Sequence, residues 1–421
     1  MLQNQYDLII VGSGPAGLMA AIESYNPSRK ILILEKMPKP ALKLRISGKG
    51  RCNITNAANL DEFISHFGKN GRFLKFAFSE FFNMDLLKYF ENLGVQIKLE
   101  RGGRYFPQND NAIEITNALL NKVKSSKIPI YTNHDVQQIS KLSEDTFQIS
   151  IKNLKGFPLK LKAKKVVIAT GGKSYPRTGS DGSGYQLAAK LGHKVTDILP
   201  SLVPIETKGG TAKKLQGLSL KNVNASIWCK NKKVEGQFGE MLFTDSGLSG
   251  PIVLSLSKTV VKMVKNKQEV VISIDLKPAL DHKKLDQRLL REIQEYSKKS
   301  FKNLLKQLLP NKLIPVFLEK LNIPESKQLS QISSEERKKL RNLLKQFLFE
   351  IKGHGSFDQA IVTSGGVSVK EVNPQTMESK LIKGLYFAGE ILDIDADTGG
   401  FNLQAAFSTG WIAGQAIQSE K

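Results

Sequence analysis

The sequence predicts an α/β fold in which a Rossmann-like domain is interrupted by a long insertion. Three features predict it. Residues 6–22 run as a buried strand, a glycine-rich turn and a helix. Two further apolar strands ending in glycine lie far along the chain, over residues 165–170 and 384–390. Residues 200–348 have a different pattern, and 421 residues leave room for two to three domains at roughly 150 residues each.

The N-terminal element is a βαβ unit. Residues 6–11 form a continuous apolar run with β-branched side chains, which is typical of a parallel strand buried on both faces. Small apolar residues after the glycine-rich turn predict a helix over 18–22. A second strand is predicted over 30–34 and ends at Glu35. The connection has the length expected of a crossover between parallel strands.

The C-terminal part of the chain completes the same domain. A buried strand is predicted over 165–170 and ends in Gly171 and Gly172. The segment 384–390 is a second unit of this strand-to-turn type. A glycine pair at 399–400 then opens a helix predicted over 401–417. Both ends of the chain therefore contribute to one α/β domain.

The insertion has two patterns. From about 200 to 276, short alternating runs such as 223–228 and 270–274 predict antiparallel strands, arranged as a small barrel or sandwich. From about 280 to 348, leucines at three-to-four spacing predict helices. Three prolines are predicted to break this stretch into short helices: Pro310, Pro315 and Pro324.

Composition excludes several classes of protein. Only two cysteines are present, Cys52 and Cys229, which excludes a disulfide scaffold and a cysteine-rich zinc or iron–sulfur site. The five histidines have no metal-ligand spacing, so no metal is expected. No apolar run reaches the ~18–20 residues that span a bilayer, so no membrane association is expected. The protein is therefore expected in the cytoplasm.

The chain is strongly basic, with a formal charge of +23. Residues 201–345 carry 28 basic and 14 acidic side chains and hold more than half of this excess. A concentrated positive charge indicates a face for polyanions such as RNA. The alternative is a solvated lysine-rich surface that reflects biased composition, since 51 of the 62 basic residues are lysine.

The glycine-rich turn over residues 12–17, GSGPAG, predicts a dinucleotide site. It follows a buried strand and opens a helix, the context that gives a G-x-G-x-x-G pattern its meaning. Gly12 permits the tight turn, Gly14 lets the backbone approach a pyrophosphate, and Gly17 lets the helix pack close to the strand. Glu35 can accept the ribose hydroxyls. The alternative is a glycine-rich turn in a nucleotide-free α/β fold.

A second contact region favours FAD over NAD as the resident cofactor, because FAD is long and extended. Gly389 allows close approach, and Glu390 is predicted to reach the ribityl or phosphate region. The helix that starts at residues 399–402 places its positive end where reduced flavin carries negative charge. No second G-x-G-x-x-G unit follows a strand, so NAD(P)H is expected to visit the flavin transiently, unless the substrate itself reduces the flavin.

A third segment, residues 47–56, has the glycines and small polar residues of a loop wrapped around a cofactor. Arg51 is predicted to clamp a phosphate or the substrate. Cys52 is a candidate proton donor, and the alternative is a small buried cysteine that packs beside the flavin. Two more glycine-rich loops, over 172–179 and 243–251, either line a substrate cavity or are ordinary turns.

Taken together, these segments resemble the BaiN-like family of NAD(P)/FAD-dependent flavoproteins. The matching stretches run through the whole chain in the family's order: VGSGPAGLMAA, SGKGRCNITN, GRYFPQNDNA, ATGGKSYPRTGSDGSGY, LGHKV, LPSLVPI, LQGLSL, LFTDSGLSGP, TSGGV and LYFAGEILDIDADTGGFNLQAAFSTGWIAG. Two positions depart from the family pattern. Lys49 stands where a third glycine usually precedes GRCN, and Asp245 stands where a histidine usually follows the Phe-Thr pair.

The resemblance implies an FAD-binding domain made from both ends, a β-barrel insert domain and a helical subdomain. The expected boundaries are 1–198 and 355–421 for the FAD domain, 199–278 and 346–354 for the barrel, and 279–345 for the helical subdomain. Cys52 and Arg51 are the candidate catalytic residues. The expected FAD contacts are Gly12, Ser13, Gly14, Pro15, Ala16, Gly17, Glu35, Lys36, Gly50, Arg51, Cys52, Asn53, Val136, Ala169, Thr170, Gly171, Gly389, Glu390, Asp393, Gly400, Phe401, Asn402 and Leu403.

The family includes bile-acid enone reductases, aminoacetone oxidases and ribosomal RNA dihydrouridine synthases, so the resemblance implies several substrates. The basic insertion favours an RNA substrate, since a small amine needs no positive surface. We therefore expect NAD(P)H-driven reduction of a uridine in large-subunit ribosomal RNA. The alternatives are an oxidase or reductase of a small amine or enone, and a non-catalytic flavin-holding RNA-binding factor.

Overall fold

The computed structural model describes residues 4–153 and 156–419, and the chain divides into two compact units. The first, here called the terminal unit, consists of residues 1–200 and 357–421. The second, here called the inserted unit, consists of residues 201–356. The α/β fold is therefore interrupted by an insertion, as the sequence predicts.

The terminal unit is built on a seven-stranded mixed sheet. Its strands are β1 (Gln5–Val11), β2 (Ile31–Leu34), β6 (Ile130–Tyr131), β7 (His134–Ser143), β8 (Thr146–Asn153), β9 (Pro158–Ile168) and β18 (Leu385–Phe387). The order across the sheet is β6-β2-β1-β9-β8-β7, and β18 pairs with the second half of β9. The four strands predicted for this domain, β1, β2, β9 and β18, are all present.

Strand direction divides the sheet into two parts. The strands β6, β2, β1, β9 and β18 run parallel, whereas β7, β8 and the first half of β9 form an antiparallel meander. All four residues of β2 and the last four of β1 are buried, which explains their unbroken apolar sequence. The parallel part delivers the carboxyl ends of its strands to one edge of the sheet.

Helices and a small sheet cover the large sheet. The helices of this unit are α1 (Pro15–Glu23), α2 (Leu42–Ile46), α3 (Leu60–Ser65), α4 (Lys75–Glu80), α5 (Asn83–Asn92), α6 (Ala112–Ser125), α7 (Ser183–Lys190) and α14 (Phe401–Ser419). The small sheet has the order β3 (Thr55–Asn56), β5 (Arg104–Pro107), β4 (Ile97–Glu100), and two short strands are β10 (Leu199–Ser201) and β17 (Val362–Ser364). Gly410 and Gly414 let α14 lie directly on α1, because a Cβ at Gly410 would stand 2.4 Å from the Ala16 carbonyl oxygen.

The inserted unit contains a closed six-stranded barrel, which decides between the predicted barrel and sandwich. Its strands in barrel order are β11 (Ile205–Thr207), β14 (Gly247–Ser249), β13 (Lys232–Phe243), β12 (Ser219–Cys229), β15 (Val271–Asp275) and β16 (Phe347–His354). The helices are α8 (Thr211–Lys214), α9 (Pro251–Lys265), α10 (His282–Glu295), α11 (Phe301–Leu308), α12 (Leu313–Leu321) and α13 (Ser334–Lys345). Barrel and helices share one hydrophobic core.

One of the three predicted helix breaks is wrong. Pro310 separates α11 from α12, and Pro324 follows the end of α12, as expected. Pro315 instead lies inside the first turn of α12. The first backbone amides of a helix have no intrahelical acceptor, so a proline is tolerated there without breaking the helix.

Within residues 4–153 and 156–419, no helix combines the length and the apolar character that crossing a bilayer requires.

His193 is a buried titratable group that ties two segments of the terminal unit together. Its Nδ1 lies 3.2 Å from Glu371 Oε2, its Nε2 lies 3.0 Å from the Ser379 hydroxyl, and its ring meets Phe387 edge-on. Burial lowers the pKa of His193, and the nearby Glu371 carboxylate opposes that shift without cancelling it. The folded protein therefore favours the neutral imidazole.

This lowered pKa predicts a loss of stability on acidification. Above the unfolded-state pKa of about 6.5 both states hold a neutral His193, and below it the unfolded state binds the proton more readily. We expect the thermal midpoint of the native protein to fall more steeply between pH 7 and pH 5 than that of His193→Gln. His282→Gln, at an exposed position, is the control and should follow the native protein. Parallel pH profiles for all three would contradict the assignment.

Candidate functional site

The carboxyl ends of the parallel strands bring four predicted segments to one edge of the sheet. Glu35 follows β2, residues 12–17 follow β1, residues 169–171 follow β9, and residues 388–390 follow β18. Ligands of open α/β sheets bind at this edge. The sequence segments that were predicted to form one site therefore lie on adjacent strands.

The glycines of the turn after β1 have different roles. Gly12 has φ +104°, and a Cβ there would stand 2.5 Å from the Ala169 carbonyl oxygen. A Cβ at Gly17 would stand 2.1 Å from the Gly12 carbonyl oxygen, so both positions are required by packing. At Gly14 no atom lies within 4 Å of a Cβ. Gly14 caps α1 without a side-chain hydrogen bond, Pro15 follows it, and the first turn has no acidic residue. The N–H of Gly12 donates to Leu34 and that of Ser13 to Glu35, and Pro15 has none, so an anion here would meet the amides at Gly14 and in the first turn of α1.

The carboxylate after β2 is held by its own chain. Glu35 Oε2 accepts hydrogen bonds from the backbone N–H and hydroxyl of Ser13, at 3.0 and 2.5 Å, and Oε1 accepts from the Met37 N–H at 2.9 Å. Lys36 pairs with Asp181 at 2.5 Å. Burial alone would raise the pKa of Asp181, but the hydrogen bonds from Lys36 and Ser183 together with the charge of Lys36 outweigh burial and lower that pKa. The predicted contact between Glu35 and a ribose would use the lone pairs that remain on this carboxylate, which is fixed against the turn over residues 12–17.

Residues 47–56 and the start of α14 meet, although about 350 residues separate them. The Asn56 side-chain amide donates to the Gly399 carbonyl at 2.9 Å. Gly400 has φ +98°, and a Cβ there would stand 2.5 Å from the Thr55 carbonyl oxygen and 2.9 Å from Asn53 Oδ1. Two of the predicted cofactor segments are thus joined by close backbone approach.

Two observations on this edge fit an extended dinucleotide. A Cβ at Gly14 would meet nothing, which leaves a cradle beside the first turn of α1 for a pyrophosphate. Asn53 Oδ1 is buried without a hydrogen-bond partner, and an acceptor in that state needs a donor such as a flavin N–H or a ribityl hydroxyl. The residues present therefore fit FAD, held by the turn after β1 and by the segment at Asn53. Thr170 Oγ1 is also buried and unpartnered, but it lies against Gly184 of α7.

The structure gives Glu390 partners that the sequence did not predict. Its Oε2 lies 2.6 Å from Lys43 Nζ, and its Oε1 accepts from the Thr363 N–H at 2.8 Å and the Ser174 hydroxyl at 3.1 Å. Lys43 also donates to Ser174 at 2.6 Å. Both oxygens of Glu390 are therefore engaged within the protein, so a direct ribityl or phosphate contact remains a prediction. Lys43 was missed because no local pattern links it to a residue 347 positions away.

Arg51 is likewise occupied by other protein groups. Its guanidinium pairs with Glu100 and, at 2.5 Å, with Asp110, and it lies 4.2 Å from the centre of the Phe106 ring. The hydrogen bond from Arg51 lowers the pKa of Glu100. The predicted phosphate or substrate clamp would have to break these exposed ion pairs, so the geometry favours a role for Arg51 in ordering the loop.

The thiol of Cys52 has no exposed surface and belongs to the core of the terminal unit. Burial raises the pKa of Cys52 to about 12, and a hydrogen bond with Ser47 opposes the shift only in part. A protonated thiol has a proton to donate, but a fully buried one does not face a substrate. The environment favours packing over acid catalysis, the two alternatives that the sequence left open.

A histidine that the sequence did not single out lies beside the start of α14. His66 stacks on Phe401 with ring centres 3.9 Å apart, and its Nδ1 lies 3.0 Å from Asp397 Oδ2. The Asn402 side chain organises the same loop by bonding to the backbone of Ala396 and Asp397. Unlike Cys52, the His66 side chain is 28% exposed. Its partner is 331 residues away, which explains why the sequence gave no signal.

The other expected contacts lie on the same framework. Gly50 and Gly171 have positive φ, Val136 is buried on β7, Asp393 accepts from the Asn70 side chain through its carbonyl, and Leu403 is half-buried on α14. Whether each touches FAD remains a prediction.

The two departures from the family pattern differ in their structural consequences. Lys49 has φ +60° and ψ +39°, the left-handed conformation that favours glycine, so a lysine there is strained where the family has no Cβ. Asp245 is exposed at the turn between β13 and β14 of the inserted unit. Among the residues that the structure describes, no group of three or more His, Cys, Asp or Glu is placed to hold a metal.

The contrast between two glycines predicts how FAD retention can be lost without unfolding. Gly14→Val should keep the fold, because its backbone is extended at φ −72° and a Cβ there meets no atom, yet the purified protein should lose its flavin absorbance. Gly17→Ala is the matched control and should instead lower the thermal midpoint, since its Cβ collides with the Gly12 carbonyl. A folded Gly14→Val protein with full flavin content would show that the pyrophosphate lies elsewhere.

Known proteins with similar sequences extend along the whole chain. The model of the HI0933-like protein Rossmann domain matches residues 6–416. A 3-dehydro-bile acid delta(4,6)-reductase of Clostridium scindens is 32% identical over 97% of this chain and 98% of its own length. A ribosomal RNA dihydrouridine synthase of Escherichia coli K12 is 29% identical, with 99% of each chain covered, and one from Haemophilus influenzae is also 29% identical, with 98% covered.

Solved structures with low sequence identity share the fold. A 3-ketosteroid-delta4-(5alpha)-dehydrogenase from Rhodococcus jostii superposes with a TM-score of 0.54 at 13% identity, covering 100% of this chain and 98% of that one. A flavocytochrome c3 fumarate reductase superposes with a TM-score of 0.54 at 16% identity, covering 99% of this chain and 78% of that one. The sequence matches confirm the resemblance to BaiN-like flavoproteins. The chain belongs to the HI0933-like Rossmann family of FAD-dependent oxidoreductases.

Proposed function

We propose that this protein uses NAD(P)H to reduce a uridine of large-subunit ribosomal RNA to dihydrouridine. The observation that carries the proposal is the charge of the inserted unit. Residues 201–356 contain 29 basic and 15 acidic side chains, a net charge of +14. An RNA substrate is bound through its phosphates and benefits from such a surface. Similarity over 99% of the chain to a ribosomal RNA dihydrouridine synthase supports the same substrate.

A second candidate substrate is a steroid-like enone. The Clostridium scindens relative is named a bile acid reductase and is slightly more similar, at 32% identity. Uracil and a steroid enone share a C=C bond conjugated to a carbonyl, so one chemistry serves both. The positive charge of the inserted unit favours uridine, because a steroid needs an apolar cavity and no basic surface.

Reduction of uridine consumes one hydride and one proton, and NAD(P)H becomes NAD(P)⁺. When bound, FAD supplies the hydride to C6 of the uracil ring. The protein must supply a proton to C5, hold the base against the cofactor, and exclude water. Because the base is stacked in folded RNA, it must leave the stack to reach the cofactor.

His66 is the better candidate for the proton donor. It is partly exposed, its orientation is held by Asp397, and it stacks on Phe401 at the start of α14. Cys52 is fully buried, with no surface exposed to solvent. A general acid must come within hydrogen-bond reach of the atom that it protonates, and His66 meets this condition more readily.

Substitution of the two candidates separates their roles. His66→Gln should slow substrate reduction at least tenfold, because general acid catalysis contributes about 10²–10⁴-fold, while NAD(P)H still bleaches the flavin at the native rate. Cys52→Ala should leave both rates within about twofold. Rapid mixing of pre-reduced enzyme with substrate measures the rate of substrate reduction separately from the rate of flavin reduction by NAD(P)H. Slow substrate reduction in Cys52→Ala and normal reduction in His66→Gln would reverse the assignment.

The reaction is tested with purified protein, NADH or NADPH, and ribosomal RNA from a strain lacking this gene. We expect flavin bleaching together with new dihydrouridine, detected by nucleoside mass spectrometry. A parallel reaction contains a steroid enone, and a third contains an amine with detection of hydrogen peroxide. Reduction of the enone alone, peroxide driven by the amine alone, or RNA binding without NAD(P)H turnover would each overturn the proposal.

A further inference from the structure

The outer wall of the barrel in the inserted unit carries a polar pocket of about 200 Å³. It lies over strands β12 and β15, next to the ends of α10 and α13. Its lining residues are Asn224, Ser226, Trp228, Lys233, Ser273, Asp275, His282, Lys345 and Gln346. None of these residues takes part in the FAD site described above, and all of them lie within the one unit.

The alternation of side chains along β12 explains why the pocket is polar. Ala225 and Ile227 are completely buried in the core of the inserted unit. Asn224, Ser226 and Trp228 occupy the intervening positions, so they lie on the opposite face of the strand. The face of β12 that packs into the core is thus apolar, and the polar side chains lie together on its other face.

Small residues give this wall its depth. Ser226 lies opposite Ser273 on β15 and opposite Gly236 on β13. A Cβ at Gly236 would stand 3.0 Å from both Ser226 Oγ and Lys233 Cε. The row Gly236, Ser226 and Ser273 therefore forms a low floor, and the larger side chains to either side stand above it.

Two buried polar atoms of the wall have no hydrogen-bond partner. They are the Asn224 side-chain oxygen, an acceptor, and the Trp228 Nε1–H, a donor. Such groups are ordinarily paired with protein, water or ligand, because desolvation without a hydrogen bond costs free energy. Both residues line the pocket, so a bound molecule with complementary groups would satisfy them.

The two ends of the pocket differ in chemistry. Trp228 lies opposite Lys233 in the strand register, and both offer only donors. Within the described residues, Lys233 has no carboxylate in ion-pair range, which leaves its charge for an anion. The other end holds Asn224 and Gln346, whose amides offer both donors and acceptors. Four residues of extended strand place these ends roughly 13 Å apart.

Charge within the pocket is positive overall. The carboxylate of Asp275 is paired with Lys345 at 2.5 Å, so its negative charge is matched. Lys233 is then the remaining fixed charge, and His282 stands exposed at the rim. A donor-only cationic end suits a phosphate, and an amide-lined end suits the edge of a nucleobase.

From this arrangement we infer that the barrel pocket binds one nucleotide of a single-stranded RNA segment, with its phosphate at Trp228 and Lys233 and its base at Asn224. The inference rests on the proposed function and extends it, because it assigns a place where RNA docks on the inserted unit. Free nucleotides share this chemistry with RNA. Binding of both a mononucleotide and a longer strand is therefore compared.

The test uses the full-length flavoprotein and two probes, uridine monophosphate and a fluorescein-labelled oligouridylate. The chain has two tryptophans, so ¹⁵N-tryptophan labelling gives two indole signals, and Trp228→Phe assigns them. The Trp228 signal should shift with the oligouridylate, and the Trp411 signal should not. A shift with the monophosphate alone would identify a free-nucleotide site and overturn docking of RNA, and no shift with either probe would overturn the pocket.

The contribution of each end of the pocket to oligouridylate binding is then measured on variants by fluorescence anisotropy. Trp228→Phe, which keeps an aromatic ring but removes the indole N–H donor, should weaken oligouridylate binding about three- to tenfold. Lys233→Gln should weaken it and make the log–log salt dependence shallower by about 0.7, the value for one lost phosphate contact on a single strand. The matched control is Lys306→Gln, at an exposed position of the same unit outside the pocket. It should change the oligouridylate affinity and its salt dependence by less than Lys233→Gln does.

Two outcomes separate this inference from the proposed function. Dihydrouridine formation with native oligouridylate affinity in both pocket variants would overturn the pocket and leave the reaction standing. RNA binding that is weakened in both variants, in a protein that forms no dihydrouridine, would support the pocket and overturn the reaction. Tighter competition by an acidic peptide than by the oligouridylate would overturn RNA as the occupant.

Discussion

The close approach of two strand ends is the constraint on which the terminal unit depends. Gly12 lies so near the carbonyl of Ala169 that no side chain fits between them, and Gly17 lies equally close to Gly12. These contacts hold β1, β9 and the start of α1 in one arrangement. The parallel register then brings the loops after β2 and β18 to the same edge. The open space at Gly14 lies between these two close contacts.

Local sequence patterns predicted the framework of this fold well. The strands and the phosphate turn follow from unbroken apolar runs and glycine spacing, which depend only on neighbouring residues. Pro315 shows a limit of the same reasoning, because whether a proline breaks a helix depends on which turn it occupies. The choice between barrel and sandwich also required the structure, since closure depends on pairing between β11 and β16, whose paired residues, such as Ile205 and His354, are far apart in the sequence.

Polar side chains were less predictable than the backbone. The pairings of Glu390 with Lys43 and of His66 with Asp397 join residues more than 300 positions apart. Sequence alone suggested that Glu390 and Arg51 face the cofactor or substrate, because it shows the charge of a residue and not its partner. Both side chains have ion-pair partners in the protein. The segments of the candidate site were therefore predictable, whereas the assignment of chemical roles within them was not.

The burial of Cys52 has a consequence for the durability of a flavoprotein. Reduced flavins exposed to oxygen generate peroxide, and peroxide attacks the thiolate form of cysteine rather than the thiol. Burial raises the pKa of Cys52 to about 12, so the side chain stays a thiol at neutral pH. Cys52 is therefore expected to resist oxidation by peroxide, although it lies in a segment predicted to contact the cofactor.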